Sequence, residues 1–325
     1  MASLVKSTYV RKIQLLKENI LRTAVRNYKP RRALMYVPGN DLRKISKISS
    51  LNVDCIALDC EDGVAFNKKD EARQTIRDSL AQLVSNSEIK SDIGVRVNSI
   101  DSDMCEKDLE VCLSGKVLPH TVLLPKVEES DHLRWFSEKL DKSIQSSNKV
   151  NLIIYIESAK AFTNLTEICK TAVELSEQSK FVPNSLVFGS DDFCASIGAT
   201  RTEDAIEVLY ARQMLVLNAK AFNLQAIDMV YINYKDLGGL KRQSEQGMRM
   251  GYTGKQVIHP GQIQVVQEAF LPSEEKIEWA RGLLHAFKEH QATGKGAFTY
   301  RGSMIDMPTM KQAQNVIDLV NSTKK

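Results

Sequence analysis

The sequence predicts a closed (β/α)8 barrel, a TIM barrel, followed by a C-terminal helical lid segment. Eight short apolar runs bounded by turn residues recur between residues 33 and 260, and most of the intervals between them have helical periodicity. The runs are apolar on both faces, which is typical of parallel strands that are covered by helices. Eight alternating units of this kind fit a closed barrel better than an open sheet.

The predicted strands follow one another at regular intervals. In chain order they are ALMYV (33–37), CIALD (55–59), GVRVN (94–98), TVLLP (121–125), LIIYIE (152–157), SLVFG (185–189), AIDMVYI (226–232) and QVIHP (256–260). Between the second and third strands, an apolar stripe predicts a helix; its members are Ala72, Ile76, Leu80 and Leu83. A doubly wound sheet is the alternative, but the sequence has no GxGxxG after the first strand and no Walker A motif.

Three segments are predicted along the chain: a basic N-terminal segment (1–30), the barrel (31–270) and a C-terminal lid (271–325). Residues 273–290 predict a helix with one apolar stripe, formed by Ile277, Ala280, Leu284 and Phe287. A Gly-containing link, GKGAFTYRG, follows, and a helix restarts at Pro308, a favoured first-turn residue. This arrangement predicts a lid with a hinge.

The net charge of +4 is concentrated at the N-terminus, where residues 1–32 contain nine Lys or Arg against the single acid Glu18. Such a segment is typical of a mitochondrial transit peptide, and a solvated surface helix is the alternative. It has no apolar core of a secretory signal, and the chain has no apolar run of about 18 residues that could span a bilayer. A nucleic-acid-binding or scaffold function is disfavoured because the basic excess ends near Arg32 and lacks interleaved aromatic residues.

Six cysteines occur without CxxC or zinc-ligand spacing, which predicts reduced, structural thiols. The chemistry is instead expected at the strand ends, because all C-terminal strand ends of a barrel meet at one mouth. The polar residues there form a ring: Tyr36, Asp59, Glu61, Asp62, Arg96, Asn98, Lys126, Glu157, Asp191, Asp192 and His259.

Two carboxylates in this ring, Glu157 and Asp192, follow the neighbouring fifth and sixth strands without a His or Cys partner in the pattern. Oxygen ligands alone favour Mg²⁺, or Mn²⁺, over zinc. Because two carboxylates leave most of an octahedral shell to water and substrate, the site suits a chelating ligand such as an α-keto acid.

Four charged residues near these carboxylates allow two interpretations each. Asp59, Glu61 and Asp62 either hold the water molecules of the metal or are acids at a helix N-terminus. Arg96, in the third strand, either binds a substrate carboxylate or enolate, or forms a structural salt bridge with one of these acids.

Basic residues at the start of the helix after the first strand, Arg43, Lys44 and Lys47, oppose the helix dipole, so a phosphate could compensate; a solvated basic face is the alternative. His259 ends the eighth strand. Ligand contact is favoured there over proton transfer, and a packed polar side chain is the other interpretation.

Eight ordered motifs together resemble the citrate lyase β-subunit and malyl-CoA lyase family over residues 31–320. They are LMYVPGN, LDCEDGV, VRVNS, LLPKVE, IIYIES, VFGSDDFCASIG, GKQVIHPGQI and GSMIDMP. The resemblance implies a Mg²⁺-dependent TIM barrel that cleaves 3-hydroxyacyl-CoA thioesters, usually as a homotrimer.

The resemblance also implies roles position by position. Glu157 and Asp192 would be metal ligands, and Arg96 would contact the carboxylate and the enolate. Coenzyme A contacts would come from Tyr36, Arg43, which stands where the family often has Lys, and Lys47, while Ile258 and His259 would lie along the thioester. Asp306, in GSMIDMP, would be the acid/base, carried on a segment that closes over the neighbouring subunit's barrel; the residues alone also allow a helix cap.

The function that follows is Mg²⁺-dependent cleavage of citramalyl-CoA to acetyl-CoA and pyruvate in mitochondria, and only the resemblance selects the citramalyl thioester. In the reverse direction, condensation of acetyl-CoA with glyoxylate would give a malate synthase-type side activity if a hydrolysis step follows. A malyl-CoA-specific lyase and a β-subunit-type lyase for acyl-carrier-protein thioesters are the alternatives. The expected partners are a CoA thioester and a small keto acid, and neither nucleic acid nor a membrane.

Overall fold

The barrel prediction is confirmed. The structure is a computed structural model in which residues 29–292 and 298–323 are described. Eight parallel strands close in sequence order, with β8 pairing back to β1 through Ala33 and Lys255. The strands are β1 Ala33–Pro38, β2 Cys55–Asp59, β3 Asp92–Arg96, β4 Thr121–Leu124, β5 Val150–Ile156, β6 Phe181–Phe188, β7 Gln225–Asp228 and β8 Gly254–Val257.

Helices alternate with the strands on the outside of the barrel. They are α1 Leu42–Ile45, α2 Lys69–Ser85, α3 Cys105–Cys112, α4 Ser130–Ser143, α5 Ala159–Thr163, α6 Leu165–Leu175, α7 Ser190–Ile197, α8 Leu209–Ala221, α9 Leu237–Met250 and α10 Ile263–Ala269. The predicted stripe on α2 is buried in the layer between strands and helices, together with Arg73. A separate, smaller cluster fills the barrel interior, and it includes Ala57, Ile153 and Tyr155.

The N-terminal end of the barrel is closed by a buried arginine. Arg31 is fully buried, and its Nε donates to Oδ2 of Asp92 at 2.6 Å. Asp92 also accepts a hydrogen bond from Thr121, so the segment before β1 is joined there to β3 and β4. Arg32 forms two hydrogen bonds with Asp54. Arg31 and Arg32, which the sequence groups with the basic segment, are therefore structural residues of the barrel; the transit-peptide prediction concerns residues that lie mostly outside those described.

Strand β7 is shorter than the sequence predicts, because the main chain beyond Asp228 binds side chains and not a neighbouring strand. The guanidinium of Arg201 donates to the carbonyl of Val230 at 2.5 Å, and the amide of Gln262 donates to the carbonyl of Tyr231 at 2.9 Å. Strands β3, β5, β6 and β8 begin before their predicted starts. All six cysteines are buried thiols. Among the described residues, no helix is both long and apolar enough to cross a bilayer.

The described chain from Glu274 onward forms a second compact unit, distinct from the barrel unit Arg31–Ser273. It contains α11 Glu274–Ala292, a hairpin of β9 Phe298–Tyr300 and β10 Ser303–Ile305, and α12 Met307–Thr323. The predicted stripe of α11 packs in the apolar core of this unit. The predicted Gly-containing link before α12 contains a hairpin. Arg301 and Gly302, both with positive φ, form its two-residue turn, and its strands are too short to show alternation in the sequence.

Candidate active site

The carboxyl ends of three strands bring charged side chains into one mouth of the barrel. Asp59 and Arg96 are the last residues of β2 and β3, and Glu157 follows the last residue of β5. Asp59 stands two residues after Ala57, and Glu157 two residues after Tyr155, both of which pack in the barrel interior. Because side chains alternate along a strand, these positions continue the inward-facing rows at the mouth.

Arg96 is held by two acids and an aromatic ring. Its Nε and Nη2 donate to the two carboxylate oxygens of Asp59 at 2.7 and 2.6 Å, and its Nη1 lies 2.8 Å from Oε2 of Glu61. The guanidinium also lies 4.6 Å from the centre of the Tyr36 ring. Burial alone would lower the pKa of Arg96, but the hydrogen bonds and the charge of Asp59, with the charge of Glu61, raise it. Two of its five N–H groups donate to Asp59, and the contact of Nη1 with Glu61 is an ion pair without hydrogen-bond geometry, so the other N–H groups can serve a substrate oxygen.

The loop after β2 has its conformation set by Asp59. The carboxylate of Asp59 accepts hydrogen bonds from the main-chain N–H groups of Glu61 and Gly63 at 2.8 and 2.9 Å. Glu61, buried beside Arg96, also accepts a hydrogen bond from Nζ of Lys126 at 2.8 Å, while Asp62 is exposed. Asp59 and Glu61 are both bound to Arg96, and Glu61 is also bound to Lys126; the role of the three acids in holding water on a metal stays a prediction.

Glu157 is a buried carboxylate in an acidic environment. Burial, and then the charges of Glu61 and Asp192, raise the pKa of Glu157 to about 8. The main-chain N–H of Lys126 donates to its Oε2 at 2.9 Å. Its Oε1 is so close to Gly189, between β6 and α7, that a side chain there would overlap it. A buried acid that faces two other acids is a place where a cation would be favoured.

The two acids after β6 differ in their partners. Asp191 and Asp192 lie in the first turn of α7, not on the strand, and both are exposed. Asp191 accepts a hydrogen bond from Arg201 at 2.5 Å. The charge of Asp192, in contrast, acts on Glu157 and on Lys126.

The donor set fits a magnesium ion. Among the described residues, no three His, Cys, Asp or Glu side chains are grouped as a complete metal site. The predicted ligands Glu157 and Asp192 would supply two oxygen ligands, and the other positions would be filled by water and substrate, as is usual for Mg²⁺. The burial and the nearby acids that raise the pKa of Glu157 agree with a cation at this position.

The profile of the HpcH/HpaI aldolase/citrate lyase family matches residues 32–260 of this chain. The chain belongs to this family. Among its relatives, the mitochondrial citramalyl-CoA lyase of Homo sapiens is 52% identical over 306 residues, which are 92% of this chain and 88% of the human protein. The citrate lyase subunit beta of Leuconostoc mesenteroides is 27% identical and covers 91% of this chain and 95% of its own length.

Solved structures of citrate lyase relatives share the fold. CitE of Mycobacterium tuberculosis, in complex with magnesium, acetoacetate and coenzyme A, aligns with a TM-score of 0.71 at 26% identity over 90% of this chain and 98% of its own. A citrate lyase from Burkholderia xenovorans aligns with a TM-score of 0.76 at 18% identity, over 92% of this chain and 94% of its own.

The residues that the citrate lyase resemblance assigns to coenzyme A differ in exposure and in their partners. Arg43 and Lys47 are exposed beyond β1. The dipole argument for them is weak, because α1 has only four residues and Asp41 caps it. Tyr36 is instead engaged inside the mouth: its hydroxyl donates to Gln256 at 2.7 Å and lies 2.8 Å from that of Tyr155. The ring of Tyr36 packs against the guanidinium of Arg96.

Ile258 and His259 are exposed directly after β8. Nδ1 of His259 accepts a hydrogen bond from the N–H of Gly261, and its ring stacks on Tyr234 at 4.8 Å between centres. A helix cap and an aromatic neighbour orient the imidazole. Because Nδ1 accepts this hydrogen bond, the neutral ring carries its proton on Nε2, which can donate to a ligand; the predicted ligand contact stays a prediction.

Asp306 belongs to the second unit. It is exposed immediately before α12, and its Oδ1 accepts hydrogen bonds from the N–H of Thr309 at 2.9 Å and from the Thr309 hydroxyl at 2.6 Å. These two bonds lower the pKa of Asp306. The cap that the sequence left as an alternative is present, and the catalytic role stays a prediction.

Three residues near the site carry no assigned role in the sequence analysis. The N–H of Lys126 binds Glu157, Gly189 lets Glu157 approach, and buried Lys69 binds the loop after β2. The sequence does not reveal the left-handed backbone of Lys126 or the close approach of Glu157 to Gly189, because both exist only in the folded chain. Lys69 does have a sequence signal: a cation at the first residue of a helix is disfavoured by the helix dipole, which indicates that it has a specific partner.

Proposed function

We propose that this protein is a Mg²⁺-dependent citramalyl-CoA lyase that cleaves citramalyl-CoA to acetyl-CoA and pyruvate. The observation that carries the proposal is the buried Glu157, which faces Glu61 and Asp192 at the same barrel mouth as Arg96. The 52% identity with the human citramalyl-CoA lyase supports this substrate.

Glu157 and Asp192 would hold the metal ion; Mn²⁺ has the same preference for oxygen and would also bind. When bound, Mg²⁺ acidifies the substrate hydroxyl and orients the hydroxyl and carboxylate oxygens. The main-chain N–H of Lys126 keeps one oxygen of Glu157 in place, which leaves the other to the metal.

Arg96 would bind the negative charge that develops during cleavage. The bond between the methylene carbon and the hydroxyl-bearing carbon breaks, and its electron pair passes to the thioester as an enolate. Since Asp59 fixes two N–H groups of Arg96, the remaining donors have a defined direction toward the mouth. Such preorganised donors stabilise charge without reorganising during the reaction.

As the keto group forms, the hydroxyl proton would pass through solvent to the carboxylate of Asp306, which would then deliver it to the methylene carbon to form the acetyl methyl group. An exposed carboxylate whose pKa is lowered by Thr309 is ionised in the free protein. It would act as base in the condensation direction. We propose that it serves the site of a neighbouring subunit in a homotrimer, with the segment from residue 271 acting as a lid.

Coenzyme A would be bound by Arg43 and Lys47, with Ile258 and His259 along the thioester arm. The two cations are exposed, as phosphate binding requires, and Ile258 offers an apolar surface that is 43% exposed. Tyr36 would act through Arg96, because its hydroxyl is already bound to Gln256. Condensation of acetyl-CoA with glyoxylate at the same site would be the side activity. The mitochondrial names of the mammalian relatives support a mitochondrial location.

The test is to measure acetyl-CoA and pyruvate released from citramalyl-CoA in Mg²⁺ and in EDTA. We expect cleavage only with Mg²⁺, and a loss of about 100-fold or more in Glu157→Gln and Asp192→Asn. Asp191→Asn is the matched control, because Asp191 is the adjacent exposed acid but is paired with Arg201. Equal losses in Asp191→Asn and Asp192→Asn would remove Asp192 from the proposed site.

Substrates separate the alternatives. A malyl-CoA-specific lyase would cleave malyl-CoA and leave citramalyl-CoA intact, and a β-subunit-type lyase would require the thioester of an acyl carrier protein. Inactive wild-type protein with citramalyl-CoA and Mg²⁺ would refute the proposed substrate.

A further inference from the structure

Lys69 is a buried cation at an unfavourable position. It is the first residue of α2, where the helix dipole opposes positive charge, and it is only 8% exposed. The adjacent Lys68 is exposed and forms an ordinary surface ion pair with Glu71. A buried ammonium group requires compensation by hydrogen bonds, so its contacts identify what it holds.

All three N–H donors of Lys69 bind acceptors in or next to the loop after β2, which begins at Cys60. Nζ donates to the carbonyl oxygens of Cys60 and Glu61 at 2.7 and 2.8 Å, and to Oδ1 of Asn98 at 2.8 Å. A lysine ammonium has three donors, so its capacity is used completely. Asn98 binds the same loop, since its Nδ2 donates to the carbonyl of Cys60 at 3.0 Å.

Asn98 is itself fixed to the next helix. Both its main-chain N–H and its Nδ2 donate to Oδ2 of Asp108, at 2.6 and 2.7 Å, and Asp108 accepts a hydrogen bond from Arg73 at 2.6 Å. The loop is therefore connected to α2 and α3 by buried hydrogen bonds. Removing one member of this network would leave its buried partners without their hydrogen bonds, which is costly.

The peptide that Lys69 holds lies between the two acids that orient Arg96. Asp59 precedes Cys60 and binds Arg96 through both carboxylate oxygens; Glu61 follows Cys60 and lies beside Nη1. A displacement of this peptide would turn both carboxylates, and Arg96 with them. Glu157 and Asp192 come from β5 and α7, and none of Lys69's hydrogen bonds reaches them.

We propose that Lys69 is a positioning residue for the lyase reaction: it fixes the main chain between Asp59 and Glu61, and through them the direction of Arg96. This inference rests on the proposed function. It predicts a specific pattern of loss, in which charge stabilisation by Arg96 fails while Glu157 and Asp192, the proposed direct metal ligands, keep their positions.

The test compares Lys69→Met with Lys68→Met. For Lys69→Met, we expect kcat to fall by about 10- to 100-fold, as for other supporting residues, while the Kd for Mg²⁺ from calorimetry stays within about twofold of wild type. Lys68→Met should keep both values. All assays are run well below the Tm of each variant, so loss of folded protein does not contribute.

A double-mutant cycle with Arg96→Lys distinguishes positioning from a general structural role. If Lys69 acts through Arg96, Lys69→Met should have little further effect in the Arg96→Lys background. Additive losses, or a parallel loss of Mg²⁺ affinity, would overturn the proposal. If Lys69→Met does not fold, Asn98→Ala decides in its place: lower kcat with retained Mg²⁺ binding supports the proposal, and a wild-type kcat contradicts it.

Failure of the proposed function would look different. A wild-type protein that does not cleave citramalyl-CoA refutes the lyase function and the role of Lys69 together. An active wild type in which Lys69→Met is as active as Lys68→Met refutes only the role of Lys69.

Discussion

The main-chain N–H of Lys126 lies 2.9 Å from Oε2 of Glu157, and Lys126 has the left-handed backbone conformation, with φ of 53°. A non-glycine residue rarely adopts this conformation. The hydrogen bond connects the end of β4 to the proposed metal ligand after β5, so the strained backbone belongs to the site.

The backbone of Lys126 can be tested separately from its side chain. Lys126→Gly and Lys126→Val both remove the ammonium group, but only glycine tolerates a positive φ without cost. We expect Lys126→Val to be less stable than Lys126→Gly by about 1–2 kcal/mol in urea unfolding. It should also bind Mg²⁺ more weakly in calorimetry. Equal stability and equal Mg²⁺ affinity of the two variants would show that the left-handed backbone does not support Glu157.

A methyl group at Gly189 should damage the metal site more than the fold. The added Cβ would overlap Oε1 and Cγ of Glu157, so the carboxylate must move. We expect Gly189→Ala to lower the Mg²⁺-dependent cleavage rate by about 100-fold, since small displacements at a reacting centre have effects of this size. Gly115→Ala, whose Cβ meets only ordinary contacts, is the matched control and should keep wild-type activity. An active Gly189→Ala variant would contradict the role of Glu157.

The two roles of Asp306, helix cap and acid/base, can be separated by substitution. Asn caps a helix as well as Asp does, whereas Ala does not. We therefore expect Asp306→Asn to keep the thermal stability of wild type and to lose turnover, with the Kd for Mg²⁺ unchanged. Asp306→Ala should lose turnover and also some stability of α12. If Asp306→Asn cleaves citramalyl-CoA at the wild-type rate, Asp306 is only a cap.

A second buried cluster makes the stability depend on pH. Between the barrel and its helices, Asp228 faces two cations: Arg212 binds it through two hydrogen bonds, and Nζ of Lys255 lies 3.5 Å from its Oδ2. Burial lowers the pKa of Lys255 from 10.5 to about 8, against the charge of Asp228 and with the charge of Arg212. The folded protein therefore loses this proton at a lower pH than the unfolded chain does.

Because the unfolded chain binds more protons than the folded protein between pH 8 and 10.5, this lysine should increase the free energy of unfolding as the pH rises through that range. The full change is about 3 kcal/mol at most. We expect the free energy of unfolding to rise with pH in Lys241→Met, which replaces an exposed lysine of α9, but not in Lys255→Met. Urea unfolding at pH 7.5, 9 and 10 measures it, and identical slopes in the two variants would contradict the assignment.

The strand ends illustrate how much of the site can be predicted from sequence. Apolar runs that end in Asp59, Arg96 and Glu157 indicate both the barrel and the mouth, because alternation along a strand and the common direction of parallel strands are local rules. The same rules failed for β7, where Arg201 and Gln262 take the carbonyl groups that would have continued the strand. Those two residues lie 29 and 31 positions from the carbonyls they bind.

The sequence by itself determined the barrel, its helices, the family and the acidic composition of the mouth, because these depend on periodicity and residue type. Only the tertiary structure decided the partners: that Asp59 binds Arg96, that Asp191 pairs with Arg201 while Asp192 faces Glu157, and that Lys69 is buried while Lys68 is exposed. Asp191 and Asp192 are adjacent residues of one type, as are Lys68 and Lys69, and the members of each pair differ only through contacts with distant parts of the chain. The distances and burial that set their charges exist only once the strands have closed into a barrel.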